Sequence, residues 1–354
     1  MRFIVVGAGW YGCHIASVLV DEGYDVIIVD EASEPLSGAS GNNQFRLHMG
    51  FHYPRSLLTR QQTIEGYYRF LKVYPNLAAE IKSNLYAIDA AQSLLDFGTF
   101  CQVMQASSIP YDEVTTENSG LKNVEGVVRC DERALLTEAA RAHFRARLGS
   151  RLQLGRRVEH IEPHYNHVLV DGEHFDFLIN CTWFTFRPLP GIYGQWYEPT
   201  LLFYYTTSRP ELAITIMDGP FCSVYPCGDG RSTLSSVPLT PVGRYPNAAE
   251  GYHRLNTMAV AEIEAVRRSM EEQVRHYYPT FNDEWTFDSI QRGLKTKLPS
   301  GTDMRACFVS RIGREIWVFA GKIDTIFSAE DEVLTRIREV IGRPGGAKAS
   351  SSAS

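Results

Sequence analysis

The sequence lacks several features that mark common functional classes. Its 354 residues contain no apolar run near the roughly 20 residues that a membrane-spanning helix requires. The formal net charge of -6 gives no general attraction to nucleic acid or to anionic membranes. We therefore expect no nucleic-acid partner, no membrane span and a small molecule as the substrate. The sequence leaves the oligomeric state open.

The cysteine pattern gives no indication of a metal site. The 7 cysteines form no CxxC pair and no Cys/His pattern for zinc, and no calcium loop or Ser nucleophile elbow is present, so we expect no metal site. Cys222 and Cys227 bracket CSVYPC and could meet across a hairpin, although we favour free thiols. Reduced cysteines, and an opening MRFIVVGAG that enters a strand at once, predict a cytoplasmic protein without a signal peptide.

The first 30 residues carry the strongest pattern. RFIVV, GAGWYG, CHIASVLVDEG and YDVIIVD predict a strand, a glycine turn, a helix and a second strand. Gly7, Gly9 and Gly12 form GxGxxG, and Asp30 ends the second strand. These glycines permit a tight turn, close approach of a pyrophosphate and tight packing of helix on strand, while the acid accepts from ribose hydroxyls. The pattern predicts a dinucleotide site.

Later segments favour FAD over NAD. FDFLINC and EIWVFAG are strand patterns far along the chain, and the second leads into a helix at roughly 327–341. A Rossmann domain that the chain re-enters twice suits FAD better than NAD. Between these strands, residues 196–240 predict antiparallel strands, and residues 247–276 predict a long helical stretch.

On these motifs the chain resembles the D-amino-acid oxidase/glycine oxidase superfamily of FAD-dependent oxidoreductases, from residue 2 to about 341. The resemblance implies an α/β fold with a discontinuous Rossmann-type FAD-binding domain and a smaller antiparallel-sheet substrate domain. The FAD-binding domain would comprise residues 1–80, 129–190 and 291–342. The substrate domain would comprise residues 81–128 and 191–290, and residues 343–354 would form a disordered tail.

The resemblance also implies which residues contact FAD. They come from the glycine turn, the end of the second strand, the polar segment GASGNNQ, the INCT strand end and the final strand–helix junction. The expected cofactor-binding residues are Gly7, Gly9, Trp10, Tyr11, Gly12, Asp30, Glu31, Ser40, Gly41, Asn42, Asn43, Gln44, Val158, Cys181, Thr182, Trp183, Gly321, Lys322, Ile323, Asp324 and Thr325.

A local similarity suggests the reactive residues. LHMGFHYPRSLL is similar to the IHAGIYYPPGSL type of segment in L-2-hydroxyglutarate dehydrogenases. This implies either that His48 is a base near the flavin or that it is a structural histidine. Lys322 could stabilise charge on the flavin or face solvent. The expected catalytic residues are His48, Lys322 and Tyr225, and the expected substrate-binding residues are Arg46, His48, His52, Tyr53, Lys295 and Arg305.

Three positions depart from the family pattern. Trp183 replaces a glycine after Asn180-Cys181-Thr182, Gly321-Lys322 stands where GHGGxG is usual, and Lys295 replaces the arginine that clamps a substrate carboxylate. We expect an FAD-dependent, amine- or amino-acid-oxidase-like enzyme that transfers hydride from a CH–NH carbon of a small polar metabolite to flavin N5. Oxidation of a 2-hydroxy acid at a CH–OH carbon, or a non-redox mutase or isomerase acting on a sugar nucleotide, are the alternatives.

Overall fold

The computed structural model describes residues 1–299 and 307–342. The helices are α1 (Trp10–Asp21), α2 (Leu57–Val73), α3 (Phe97–Ala106), α4 (Thr116–Ser119), α5 (Thr137–Leu148), α6 (Ala248–Thr257), α7 (Val260–Tyr277), α8 (Phe281–Glu284) and α9 (Ile326–Ile341), with 3₁₀ turns at Gly149–Arg151 and Ile323–Thr325. The strands are β1 (Arg2–Val6), β2 (Asp25–Asp30), β3 (Arg46–Leu47), β4 (Ala78–Ala79), β5 (Ser83–Asp89), β6 (Asp112–Val114), β7 (Val124–Arg129), β8 (Arg133–Leu135), β9 (Leu152–Leu154), β10 (Ile161–Pro163), β11 (Val168–Val170), β12 (Glu173–Phe175), β13 (Phe177–Asn180), β14 (Trp196–Thr207), β15 (Leu212–Met217), β16 (Cys222–Pro226), β17 (Arg231–Ser236), β18 (Trp285–Lys297), β19 (Phe308–Ile312) and β20 (Glu315–Phe319).

A six-stranded sheet forms the Rossmann-type unit, with the strand order β19-β20-β13-β1-β2-β9. The strands from β20 to β9 pair in parallel, and β19 is antiparallel to β20. Strands β13 and β20 are the FDFLINC and EIWVFAG segments, and both return to the sheet that β1 begins. The predicted discontinuous α/β fold is therefore confirmed.

Strand β1 is apolar along its length because both of its faces are buried. Phe3 and Val5 join the core that includes residues of α1 and α9, whereas Ile4 and Val6 join a second core with residues of β11. Side chains of a strand alternate between faces, so a strand covered on both sides reads as a continuous apolar run. The antiparallel meander β10-β11-β12 supplies the second cover.

An eight-stranded sheet forms the second unit, in the order β18-β14-β17-β16-β15-β5-β7-β6. Most of its pairs are antiparallel, as predicted, but β15 pairs in parallel with β5. Strand β18 pairs with β14 along its whole length, so it continues across the predicted boundary between residues 290 and 291. The predicted domain limits remain a prediction.

The two faces of this sheet differ in polarity. One face carries Phe203 and Ile214, which share an apolar core with Met270 and Val274 of α7. The other face carries small polar side chains that are buried all the same, namely Thr200, Thr215 and Ser223. Buried hydroxyl groups need hydrogen-bond partners. We therefore expect this face to pack against polar groups, whereas the apolar face packs against α7.

The predicted helical stretch differs from the observed structure, whereas the cysteines are as expected. The stretch 247–276 forms two helices, because Met258 and Ala259 are extended between α6 and α7. All seven cysteines are free. None of the helices in residues 1–299 and 307–342 combines the length and apolar character that crossing a membrane requires. Arg305 and the tail 343–354 lie outside the described residues.

Helix α2 packs against the 3₁₀ turn Ile323–Thr325 through Gly66. A Cβ at Gly66 would stand 1.9 Å from the carbonyl oxygen of Asp324. Substitution Gly66→Ala should therefore cost about 1–3 kcal/mol of unfolding free energy by overpacking, although alanine normally stabilises a helix. Gly98→Ala in α3 is the matched control, because its Cβ would meet only the Asp96 carboxylate at 3.3 Å. It should be neutral or stabilising by up to about 1 kcal/mol. Urea unfolding of the two variants measures the difference, and equal stabilities would contradict this account of the packing.

Candidate functional site

A large cavity lies where the carboxyl ends of the parallel strands meet the polar face of the eight-stranded sheet. Its volume is about 1600 Å³, and its wall includes Gly7, Asp30 and Cys181 on one side and Thr215 and Ser223 on the other. Ligands of open α/β sheets bind at these strand ends. A typical pocket for a small ligand measures about 300–1,000 Å³. The cavity therefore has room for a dinucleotide and a substrate together.

The glycine turn leaves no space for side chains. Gly7 has a φ of +100°, and a Cβ there would stand 2.9 Å from the Cys181 carbonyl oxygen. A Cβ at Gly12 would stand 1.8 Å from the Gly7 oxygen, and one at Gly9 would stand 2.8 Å from Ser40 Oγ. The residue before α1 is Gly9, which makes no side-chain capping bond to the helix. Its N–H groups and positive dipole end fit a pyrophosphate.

Asp30 holds the glycine turn from beneath. Its Oδ2 accepts a hydrogen bond from the Ala8 N–H at 2.6 Å, and its Oδ1 accepts one from the Ala32 N–H at 2.9 Å. A carboxylate has further lone pairs, so these bonds leave capacity for a ribose hydroxyl. The neighbouring Glu31 side chain is 66% exposed and lies 3.6 Å from Arg157. Both acids line the cavity, as does Val158.

The polar segment after β2 folds on its own side-chain amides. Asn42 donates to the carbonyl groups of Ser37 and Gly38, and Asn43 donates to those of Ala39 and Ser40. Such local bonds are typical of asparagine in turns. Ser40 Oγ also accepts from the Trp10 N–H at 3.0 Å, which fixes the segment on the start of α1.

Tyr11 joins α1 to the last strand–helix junction. Its hydroxyl donates to the Lys322 carbonyl at 2.6 Å and accepts from the Gly321 N–H at 3.1 Å. It also lies 2.6 Å from Thr325 Oγ1. Burial raises the pKa of the Tyr11 phenol well above its ordinary value, so the group stays a neutral donor. The junction is thereby held against the glycine turn.

Trp183 occupies the position where the family pattern has glycine. It adopts a φ of +54°, and Phe184 follows with +63°. These are left-handed conformations that glycine adopts most easily. Trp183 thus adopts a conformation that glycine favours, and it adds an indole to the cavity wall.

Arg46 of β3 is buried between the two sheets. Its Nη1 donates to Tyr86 Oη and to Thr215 Oγ1, and its Nη2 donates to Ser223 Oγ, each at 2.8 Å. Its guanidinium carbon stands 4.0 Å from the centre of the Tyr225 ring. These bonds explain the buried hydroxyl groups on the sheet face. They also commit much of the guanidinium to the protein itself.

Glu132 is fully buried beside this arginine, and sequence reasoning missed it. Its Oε1 accepts from the Met49 N–H at 2.8 Å, and its Oε2 accepts from the Tyr86 hydroxyl at 2.6 Å. It lies 3.9 Å from Arg46 Nη1 and 3.6 Å from His48 Nδ1. No local motif marks this residue, because its partners come from distant parts of the chain.

His48 and His52 line the cavity and are both uncharged at neutral pH. Burial lowers the pKa of His48 well below its ordinary value, and the charges of Lys322 and Arg46 lower it further. Burial also lowers the pKa of His52. The Nδ1 atoms of both rings are buried without a hydrogen-bond partner among the described residues.

Lys322 brings further positive charge to the same end of the cavity, and Asp324 follows it in the chain. Lys322 Nζ lies 5.5 Å from the centre of the Tyr53 ring. Asp324 is fully buried, and burial raises the pKa of its carboxyl against the opposing effect of Lys322. This end of the cavity therefore combines fixed charges with neutral imidazoles.

Most of the predicted site residues meet in one place. The predicted residues that line the cavity are Gly7, Gly9, Tyr11, Asp30, Glu31, Ser40, Asn43, Gln44, Arg46, His48, His52, Tyr53, Val158, Cys181, Thr182, Trp183, Lys295, Gly321, Lys322 and Ile323. Within the described residues, the predicted ones that do not line it are Trp10, Gly12, Gly41, Asn42, Tyr225, Asp324 and Thr325.

Tyr225, expected to be catalytic, lies beneath the wall. It is fully buried, its hydroxyl donates to the Arg133 carbonyl at 3.2 Å, and its ring supports Arg46. The structure thus separates it from the cavity and gives it a packing role. The Arg55–Asp218 ion pair, at 2.6 Å, lines the cavity but was not predicted, because its members lie on different units.

A family model described as FAD dependent oxidoreductase matches residues 2–321. The chain belongs to this family. FAD is therefore its cofactor, and the glycine turn, the open start of α1 and Asp30 fit the group that the family binds. The enzyme is an FAD-dependent oxidoreductase.

Comparisons with individual proteins agree with this assignment. The FAD-dependent monooxygenase FPY4 of Fusarium mangiferae is 43% identical over 334 residues, which cover 94% of this chain and 90% of FPY4. The FAD-dependent monooxygenase kojA of Aspergillus flavus is 26% identical, covering 98% and 88%. The structure of glycine oxidase from Geobacillus kaustophilus matches with a TM-score of 0.73 at 12% identity, covering 96% and 95%, and shows the shared fold. The likeness to L-2-hydroxyglutarate dehydrogenases stays a prediction.

Gly9→Val should abolish FAD loading while leaving the fold intact. The added side chain would start 2.8 Å from Ser40 Oγ and fill the place proposed for the pyrophosphate. Gly23→Asn, at the other end of α1, is the control, because its Cβ meets nothing within 4 Å and Asn tolerates a positive φ. FAD released per polypeptide on denaturation should fall close to zero in the first variant only. Full loading of Gly9→Val would refute the assignment of this turn.

Proposed function

We propose that the enzyme oxidises a small polar metabolite at a carbon bearing an amino group, with His48 as the proton acceptor. The observation that carries this proposal is the position of His48, a buried and neutral imidazole in the cavity wall that also contains Gly321–Ile323. A neutral imidazole accepts a proton at physiological pH, whereas an imidazolium cannot.

FAD, when bound, accepts hydride from a substrate carbon. The glycine turn and Asp30 would hold its adenosine and pyrophosphate parts, and Gly321, Lys322 and Ile323 would lie along its reactive end. In the proposed reaction the substrate C–H bond breaks and both electrons leave with the hydride. The N–H proton passes to His48, a C=N bond forms, and water hydrolyses the resulting imine.

The charges around His48 select the form of the substrate. Burial lowers the pKa of His48, and the charges of Lys322 and Arg46 lower it further, so a further cation at this end of the cavity is disfavoured. An ammonium ion is disfavoured there, and a neutral amine is favoured. The same cations stabilise negative charge that develops as hydride leaves the substrate.

The same residues would also support oxidation of a carbon that bears a hydroxyl group, and the product would then be a carbonyl compound. Lys295 lines the cavity in place of the family's arginine, and a lysine is a point charge without a bidentate fork. The pocket thus gives no reason to require a carboxylate on the substrate. The family assignment favours redox chemistry over the sugar-nucleotide mutase alternative.

Monooxygenation is a second candidate, because the relative with 43% identity carries that name. It would insert one atom of O₂ into the substrate and would need an external reductant such as a reduced nicotinamide for the other. In an amine oxidation the substrate itself reduces the flavin, so this step requires neither O₂ nor a reduced nicotinamide. The two reactions are therefore separable without knowledge of the natural substrate.

An anaerobic substrate panel tests the proposal. Small amines and amino acids should bleach the flavin absorbance without a nicotinamide, and alcohols and 2-hydroxy acids form the comparison set. If only a reduced nicotinamide bleaches the flavin, and ¹⁸O from ¹⁸O₂ then enters a product, the oxidase proposal fails and the monooxygenase candidate holds.

The pH dependence of flavin reduction tests His48. Its lowered pKa keeps the base form present through neutral pH, so the limiting reduction rate should be flat from about 6.5 to 8 and fall only at lower pH. His48→Gln should slow reduction by about 10²–10⁴-fold and remove the acid limb. The control is His143→Gln in α5, a histidine whose pKa burial also lowers but which lies off the cavity wall. Stopped-flow measurement of the rate of flavin reduction tests this prediction. An unchanged rate in His48→Gln would show that His48 is not the base.

A further inference from the structure

Glu132 approaches His48 from the side away from the cavity. We propose that Glu132 is a positioning residue, which keeps the proton of His48 on Nδ1 and leaves the lone pair of Nε2 directed at the substrate. This inference rests on the proposed role of His48 as the base. It adds a second residue, one outside the cavity wall, to the machinery of proton transfer.

The carboxylate of Glu132 is held rigidly in place. The Met49 N–H fixes Oε1 at 2.8 Å, and the Tyr86 hydroxyl fixes Oε2 at 2.6 Å. Oε1 is thereby kept 3.6 Å from His48 Nδ1. Since Nδ1 is buried and has no hydrogen-bond partner among the described residues, this oxygen decides which nitrogen carries the proton.

The surrounding charges make such a partner necessary. His48 faces Arg46, Lys322, the neutral His52 and the raised-pKa Asp324, as well as Glu132. When Nε2 takes a proton, the ring becomes a third cation beside two others. Glu132 supplies the opposing charge. Because its carboxylate is fixed, the imidazolium ring is the group that moves toward it, and a charge-assisted hydrogen bond of about 2.7–2.9 Å forms.

A rival account is that Glu132 serves only as the counter-ion of Arg46, which lies 3.9 Å away. In that case its loss would weaken the fold, but Glu132 would not fix the tautomer of His48 in the wild-type protein. Removal of the Glu132 charge changes the electrostatics around His48 under either account, so the tautomer separates a positioning role from a structural one.

Glu132→Gln is the decisive variant, because it keeps the shape and an acceptor for the Met49 N–H while removing the charge. We expect bound FAD to be retained, the limiting rate of flavin reduction to fall about 10–100-fold, and the acid limb to move to lower pH because the imidazolium loses its partner. Tyr277→Phe is the control, because it removes a buried tyrosine–carboxylate hydrogen bond, to Asp89, and neither residue lines the cavity. It should lower stability without moving the limb.

The outcomes are distinct. If His48→Gln reduces flavin at the wild-type rate, the proposed function fails. If His48→Gln is slow while Glu132→Gln keeps the wild-type limb, only the inference about Glu132 fails. Should Glu132→Gln not fold, ¹⁵N-histidine NMR of the wild-type protein, assigned with His48→Gln, reads the tautomer directly. The Nδ1–H form supports the inference, and the Nε2–H form overturns it.

Discussion

The buried pairing of Arg46 with Glu132 is the constraint on which the rest of the site depends. The arginine is fixed by Thr215 and Ser223 of the eight-stranded sheet, and the glutamate by the Met49 N–H of the segment that follows β3. A buried charge without partners costs several kcal/mol, so the two units must stay in register for both ions to be satisfied. The pairing thus positions the cavity wall as well as stabilising it.

This arrangement explains why a histidine in the same wall stays neutral. Burial alone disfavours the imidazolium, and the neighbouring cations add to the effect on His48. In the proposed mechanism, His48 is neutral before the reaction and can therefore accept a proton from the substrate. The fixed Glu132 carboxylate then stabilises the imidazolium that forms. Tyr11 completes the frame by tying the Gly321–Thr325 junction to the glycine turn. The fold therefore brings the glycine turn and the proposed proton acceptor, His48, into one cavity.

The sequence predicted the parts of this structure that depend on local patterns. The glycine turn, Asp30 and the two returning strands were readable because each is encoded within about ten residues, and the polar segment around His48 stood out by composition. The partners of Arg46 were not readable, since Thr215 and Ser223 lie far from it in the chain and only the sheet pairing joins them. The parallel entry of β15 beside β5 was hidden for the same reason.

Two further differences have physical causes. Trp183 departs from the family pattern, yet its backbone has the positive φ that glycine adopts most easily. Tyr225 was expected to be catalytic, but it does not line the cavity, and its ring stacks on Arg46, which does. Side chains that stack on a buried charge cannot be told from pocket residues by periodicity alone.

A crystal structure of the FAD-loaded enzyme would locate the flavin relative to His48. We expect the isoalloxazine ring to lie along Gly321, Lys322 and Ile323, with His48 Nε2 facing the space above flavin N5 and Nδ1 facing Glu132. A ring placed elsewhere in the cavity, or a His48 whose Nε2 faces Glu132, would contradict this expectation.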